Sequence, residues 1–295
     1  MPLFRRPDGV LITGLSPERA IMPYLMPGRN ESAVYHEAVY DISKTRHCLR
    51  AHNRSEPAGA ATLFHVFLWA CGKALNEFPD LNRFVSGGRL YQRNRTEISF
   101  AAKRTFSPGA PLVAVKVPFP PEQAFEAAVQ RVRMAIDEAR SSAKRPIDRE
   151  LKLALLLPGP LLRVAMGCLR SLDRINLLPK QMLANDPMYA SMFVANLGSI
   201  GLDNTFHHLY EYGSVSIFAV VGRPRKTTFV SRDGRPEVRD GLQVCWTFDE
   251  RITDGYYVAA ALRLVQNVIE NPERFSSTLQ AVAGMTHKVS PSQTV

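Results

Sequence analysis

A chain of 295 residues, 45% hydrophobic and 22% charged, carries enough apolar mass for a core of its own and excludes a disordered or fibrous class. Its 37 lysines and arginines against 27 acidic residues give a formal net charge of +10, which favours anionic partners without choosing among nucleotide phosphates, acidic headgroups and nucleic acid. No apolar run reaches spanning length, Pro7 and Asp8 interrupt the start too early for a signal peptide, and Cys48, Cys71, Cys168 and Cys245 are too widely spaced for a metal site.

These features lead to an expected cytoplasmic, reducing location without disulfides. Residues 1–30 are punctuated by proline and glycine and are expected to cross the surface. Ala33 to Ile42 alternates as a strand does, and Asp41 and Ser43 introduce a short helix through Lys44, His47 and Leu49. The apolar segment 60–78, with Phe64, Phe67, Leu68, Cys71 and Leu75, is long enough to favour a buried helix, ended by Phe78-Pro79-Asp80-Leu81-Asn82. Strands are expected at Leu90-Tyr91, Ile98 to Phe100 and Leu112 to Val117. Pro120-Pro121-Glu122 is then expected to open a helix with Phe125, Val129, Val132 and Ile136 on one face. The basic residues that follow, Arg140, Lys144, Arg145 and Arg149, complement a helix C-terminus more simply than they bind phosphate.

Residues 151–183 are leucine-rich and basic, broken by Pro158-Gly159-Pro160 and interrupted by Arg163, Arg170 and Lys180. A helical pair of this composition fits packing on the body, an oligomer interface, peripheral contact with a membrane, or a lid over an acyl substrate. Met192 to Ala195 predicts a strand ending at Asn196-Leu197-Gly198. Ser214 to Val221 predicts another, followed by the basic loop Arg223-Pro224-Arg225-Lys226. Thr227 to Val230 pairs through Asp233-Gly234 with a partner near Val238, and a last strand covers 242–248. That strand runs into Asp249-Glu250-Arg251-Ile252-Thr253-Asp254-Gly255, and a helix through Ala261, Leu264, Val265 and Val268 closes at Asn271-Pro272. Four ionisable groups beside a glycine at a strand-to-helix turn form either a candidate site or a solvated turn in which Asp254 caps the helix. Strands interleaved with long helices predict an α/β fold, expected as one domain over 1–285 with a disordered tail at 286–295.

Five of these segments, in this order, resemble the catalytic domain of the dihydrolipoamide acyltransferases of the 2-oxoacid dehydrogenase complexes. They are Phe78 to Asn82, Asn196-Leu197-Gly198, Ser216 to Gly222, Asp249 to Gly255 and Ile269-Glu270-Asn271-Pro272. The resemblance implies the chloramphenicol acetyltransferase-like fold, a mixed sheet flanked by helices with 151–183 as an inserted segment. It implies a homotrimer or a multiple of trimers, with coenzyme A or acyl-CoA as substrate or ligand, no covalently bound cofactor, and an active site between subunits. In the family a histidine in the signature acts as general base, and a serine or threonine before the asparagine-leucine-glycine turn helps hold the oxyanion. Here Glu250 stands at the histidine position and Ala195 at the hydroxyl position.

An alanine side chain donates no hydrogen bond, and the loss of one oxyanion donor costs about 3 kcal/mol of transition-state stabilisation in a measured case. A carboxylate, with an ordinary pKa of roughly 4.3, is a weak base towards an alcohol and lacks the donor that imidazole gains on protonation. The resemblance also implies that Asp249 pairs with an arginine near the amino terminus, Arg19 by position, with Arg251, Asp254, Gly255 and Asn196 shaping the surrounding turns. Arg223, Arg225 and Lys226 are candidates for the phosphates of coenzyme A, against a plain solvated hairpin. His36, His65 and His207-His208 are possible substitute bases without triad spacing, and no metal is expected. Three functions follow: an acyltransferase-fold protein that binds an acyl or CoA-type ligand, or a protein partner, without standard transfer; an active transferase that uses Glu250 on a lipid-like or small alcohol, amine or thiol; or a purely structural interaction module. No helix-turn-helix or aromatic-basic sheet motif points to nucleic acid.

Overall fold

The computed structural model describes residues 5–103, 112–141 and 155–280. Its main sheet has seven strands: β2 (Ala33–Asp41), β5 (Glu97–Lys103), β6 (Leu112–Pro118), β7 (Met192–Asn196), β8 (Ile217–Val221), β9 (Arg225–Val230) and β10 (Pro236–Asp249). They run in the order β2-β10-β8-β7-β5-β6, with β9 added to β10. Strand β7 is parallel to both neighbours and the remaining pairs are antiparallel, so the sheet is mixed, as expected. A second sheet, β1-β4-β3, joins Gly9–Leu11, Arg89–Arg93 and Arg83–Ser86.

Alternation along the central strands explains the layers. Ile98, Phe100, Met192, Val194, Ile217, Ala219, Val244 and Trp246 enter one core with helices α2 (Ser43–Ser55), α3 (Leu63–Glu77), α4 (Phe125–Arg140) and α7 (Gly255–Glu270). Their neighbours Phe193, Phe218, Val220 and Cys245 point the other way, into an aromatic cluster closed by Leu209 and Val215. Helix α3 is apolar nearly all round because it is wrapped nearly all round. Val66, Phe67, Leu68 and Ala70 have no exposed surface, and each large side chain contributes roughly 1.5–3 kcal/mol through burial. Gly72 belongs there because a Cβ would come within 2.7 Å of the Phe119 ring.

Several expected elements shift. The amino-terminal residues do more than cross the surface: they form β1 and helix α1 (Pro17–Leu25), and Arg6 is buried between Asp8 at 2.7 Å and Asp173 at 2.9 Å. Pro120-Pro121-Glu122 does not open α4, because Glu122 takes φ 56° and the helix starts only after Ala124. The strand near Val238 and the strand at 242–248 are one fourteen-residue strand, β10, whose first part pairs with β9 and whose second part pairs with β2 and β8. Of the basic run after α4, Lys144, Arg145 and Arg149 lie outside the described residues, as does the tail 286–295.

The leucine-rich segment holds helices α5 (Gly159–Arg174) and α6 (Lys180–Asn185). Helix α5 has no fully buried residue. Its end is anchored through Asp173 to Arg6, while Leu161, Val164 and Leu172 remain exposed. Among the described residues no helix is long and apolar enough to cross a membrane.

Gly198, in the asparagine-leucine-glycine turn, lies against the β8 exit so tightly that a Cβ would sit 2.5 Å from the Gly222 carbonyl oxygen. Gly198→Ala is expected to destabilise the fold by about 1–3 kcal/mol, read as a lower urea midpoint at unchanged slope. A midpoint equal to that of the native protein would show that this turn is not packed as described.

Candidate functional site at the Asp249 to Gly255 turn

Strand β10 ends in a buried ion pair within the turn itself. Arg251 donates from Nε to Asp249 Oδ1 at 2.8 Å and from Nη2 to Oδ2 at 2.7 Å, and both side chains are at most 2% exposed. Two parallel bonds of this kind fix a guanidinium in orientation as well as position. The remaining nitrogen, Nη1, donates to the carbonyls of Met26 and Pro27 at 2.9 and 3.2 Å, which ties the end of α1 to the turn. Arg19 is therefore not the partner of Asp249. It donates to the Glu250 carbonyl at 3.0 Å and lies 3.9 Å from Asp254, partly in solvent. The reason is local: an arginine two residues along reaches Asp249 without leaving the turn, whereas α1 passes on the side of Glu250 and Asp254.

Asp254 caps α7 as expected, its Oδ1 accepting from Tyr257 N at 2.9 Å. Gly255 is the first helical residue, and a Cβ there would meet nothing within 4 Å. Its missing side chain thus leaves room in the cleft rather than serving internal packing. Glu250 is exposed, and its backbone N–H donates to the Ser32 carbonyl at 2.9 Å, so the turn presents its side chain outward.

The space in front of Glu250 is a cleft of about 580 Å³. Val34, His36 and Ala38 of β2 form one wall, Val258, Ala259 and Leu262 of α7 the other, and Asp254, Arg263 and Gln266 add polar groups. No residue of 155–183 lines it, so the described part of the leucine-rich segment is no lid over this cleft. His36 shares the cleft with Glu250, a placement its strand position could have signalled, because His36 pairs in register with Trp246 near the end of β10.

The other candidates lie elsewhere. Ala195 is level with Val220, and through it with Cys245, on the face opposite the helices. Glu250 lies five residues beyond Cys245, on the order of 15 Å along the strand, so one chain does not bring the two positions together. Asn196 caps the short turn Leu197–Ile200, accepting from Ser199 N at 3.2 Å. The basic loop is held by carboxylates: Arg223 and Arg225 meet Asp203 at 2.9 and 4.0 Å, and Lys226 meets Asp240 at 3.0 Å. It leads into the β9–β10 hairpin, where Arg225 lies opposite Gly241 in the middle of β10, well short of Glu250.

His65 completes a capping box with Thr62, and burial lowers its pKa to about 4. His207 stacks on Phe218 at 4.0 Å, and burial lowers its pKa too. Both are packed into structure. Among the described residues, no group of three or more His, Cys, Asp or Glu could hold a metal ion.

The model of the 2-oxoacid dehydrogenase acyltransferase catalytic domain matches residues 178–276. Solved structures match over most of the chain. A probable dihydrolipoamide acetyltransferase from Listeria monocytogenes is 16% identical, with a TM-score of 0.58 over 88% of this chain and 94% of its own. The cubic core of the pyruvate dehydrogenase multienzyme complex is 14% identical, with a TM-score of 0.58 over 92% and 94%. A chloramphenicol acetyltransferase is 13% identical, with a TM-score of 0.54 over 88% and 99%. No curated protein sequence matches the chain.

The two arginines separate in a simple experiment. Arg251→Ala leaves a buried carboxylate unpaired and is expected to cost about 3–5 kcal/mol in urea unfolding, whereas Arg19→Ala, at a partly solvated pair, costs about 1 kcal/mol or less. The reverse order would restore Arg19 as the partner of Asp249. The chain thus has the chloramphenicol acetyltransferase-like fold, and its segment 178–276 matches the acyltransferase catalytic domain of the 2-oxoacid dehydrogenases.

Proposed function

We propose that this is an acyltransferase-fold protein whose Glu250 cleft holds an acyl or CoA-type ligand without performing the standard transfer. The observation that carries the reading is the cleft: about 580 Å³, open, walled by aliphatic side chains and sited at the matched turn. An acyl chain would lie between β2 and α7, where Val34, Ala38, Val258 and Leu262 offer apolar contact, and Arg263 and Gln266 suit a polar end. The chemistry argues against standard transfer. Glu250 is a carboxylate in solvent, and the position before Asn196 is Ala195, which has no donor for a developing oxyanion.

We also propose that the working unit is a homotrimer or a multiple of it. A second copy is what could face Ala195 towards Glu250, and β2 offers an exposed edge beside the cleft with Val34 and Tyr35 about half exposed. The similar cubic core is itself a larger assembly. A cytoplasmic location remains part of this reading.

The second reading, an active transferase, has one observation in its favour: His36 lines the same cleft as Glu250 and supplies an imidazole. Calorimetry with acyl-CoA of several chain lengths, together with thiol release to alcohol, amine and thiol acceptors, separates the two. Saturable binding that weakens at least tenfold in Ala259→Trp, with thiol release at background in native protein and E250A alike, is expected. Turnover abolished in E250A or H36A would replace binding with catalysis, and no binding at any chain length would sink both readings. Light scattering is expected to give three chains or a multiple of three.

A further inference from the structure

On the other side of the Asp249–Arg251 pair from Glu250 lies a second cavity, of about 540 Å³. It opens between the end of α5, the β3–β4 hairpin and the chain following α1. Its walls carry five arginines, Arg29, Arg89, Arg170, Arg174 and Arg251, against two carboxylates, Asp173 and Glu211. Most of the anionic charge nearby is already committed. Asp173 meets Arg6 at 2.9 Å, Asp249 holds Arg251, and Glu211 accepts from the backbone N–H groups of Arg29 and Asn30 at 3.3 and 3.0 Å. Among the described residues Arg89, Arg170 and Arg174, which line the cavity, have no ion pair, so three arginines border one space without a carboxylate of their own.

Arg29 is the strongest sign of a built site. It is only 7% exposed, and its Nη1 donates to the Tyr210 and Glu211 carbonyls, both at 3.1 Å. Its buried Nε has no hydrogen-bond partner among the described residues. An unpaired buried donor of a charged group is costly, and an anion in the cavity is a partner that would satisfy it. The C-terminal carbonyls of α5, which would repel an anion, are partly occupied: Asp173 O accepts from Arg6 Nη1 and Ser86 Oγ at 3.1 and 3.2 Å.

We infer that this cavity binds a phosphate-bearing organic anion. Several guanidinium forks around one space suit the many acceptor oxygens and double charge of a phosphate monoester better than a single carboxylate. The volume exceeds that of the phosphate group, and Tyr24, Tyr189 and Tyr212 supply ring surface for an organic moiety. Arg170 and Arg174 stand one turn apart on exposed α5, so they can close on such a ligand from one side while Arg29 and Arg89 hold it from the other.

Titration calorimetry at low ionic strength with inorganic phosphate and adenosine monophosphate, and co-sedimentation with phosphatidylcholine vesicles with and without phosphatidate, test the site. Native protein is expected to bind a phosphate probe saturably. R170Q/R174Q is expected to bind at least tenfold more weakly with an unchanged circular dichroism spectrum. R163Q, on the same helix but outside the cavity, and E250A are expected to bind like native protein. Binding of the soluble probes identifies a free metabolite as the source. Binding only to phosphatidate vesicles, lost in R170Q/R174Q, identifies a lipid headgroup. Absence of saturable binding to every phosphate probe overturns the inference, as does equal binding in R170Q/R174Q and native protein. Because E250A leaves this site intact, failure of the acyl-ligand reading would not be mistaken for failure here.

Discussion

The bidentate pair between Asp249 and Arg251 is the constraint on which the functional half of the molecule rests. Two opposite charges two residues apart, both almost wholly removed from solvent, are tolerable only because every strong acceptor and donor is used: both carboxylate oxygens by Arg251, and the remaining guanidinium nitrogen by two carbonyls beyond α1. That satisfied network decides several things together. It stops β10, turns the chain so that Glu250 points outward, and delivers Asp254 to the N-terminus of α7. It also fixes α1, whose Arg19 can then reach back to the Glu250 carbonyl. One interaction thereby separates the acyl-sized cleft in front from the arginine-lined cavity behind, and Arg251 itself lines the latter.

The period-two alternation of the sheet supplies the second constraint. Both faces of the central strands are buried, so neighbouring residues on β7, β8 and β10 belong to different layers. The Glu250 cleft opens on the helical face at the β2 edge, while Ala195 faces the aromatic cluster. Within one chain, then, the Glu250 and Ala195 positions lie on opposite faces of the sheet, with the β2 edge exposed beside the cleft.

Much of the architecture was legible in the residues. The helical period of α7, its closure at Asn271-Pro272, the aspartate cap and the buried character of α3 all follow from local chemistry that tertiary packing then reinforces. The hairpin through Asp233-Gly234 is legible in the same way: a partner near Val238 is expected for 227–230, and Val238 lies opposite Thr228. What could not be read was which of two arginines satisfies Asp249, because both lie within plausible reach in sequence and only the direction of α1 decides. The start of α4 was missed for a backbone reason. Proline favours a first helical turn, but Glu122 adopts a left-handed φ and delays the helix past Ala124. The merging of two expected strands into β10 was hidden because its exposed first half and buried second half have different compositions.

Net charge was the least informative number in the sequence, and its distribution explains why. The conspicuous basic run, Arg223 to Lys226, is answered by Asp203 and Asp240 across a solvated hairpin, where exposed pairs add little and leave little charge for a ligand. The arginines of the second cavity that lack an ion pair among the described residues, Arg89, Arg170 and Arg174, are scattered through the chain, and no sequence window contains all three. They meet only because the β3–β4 hairpin packs its tip against the end of α5, so closely that a Cβ on Gly87 would sit 2.2 Å from the Arg174 carbonyl oxygen. A glycine with φ 56° is what permits that approach. The electrostatic character of this cavity is therefore a property of backbone packing: with any L-residue at Gly87, hairpin and helix would have to part, and the positive field would disperse into solvent.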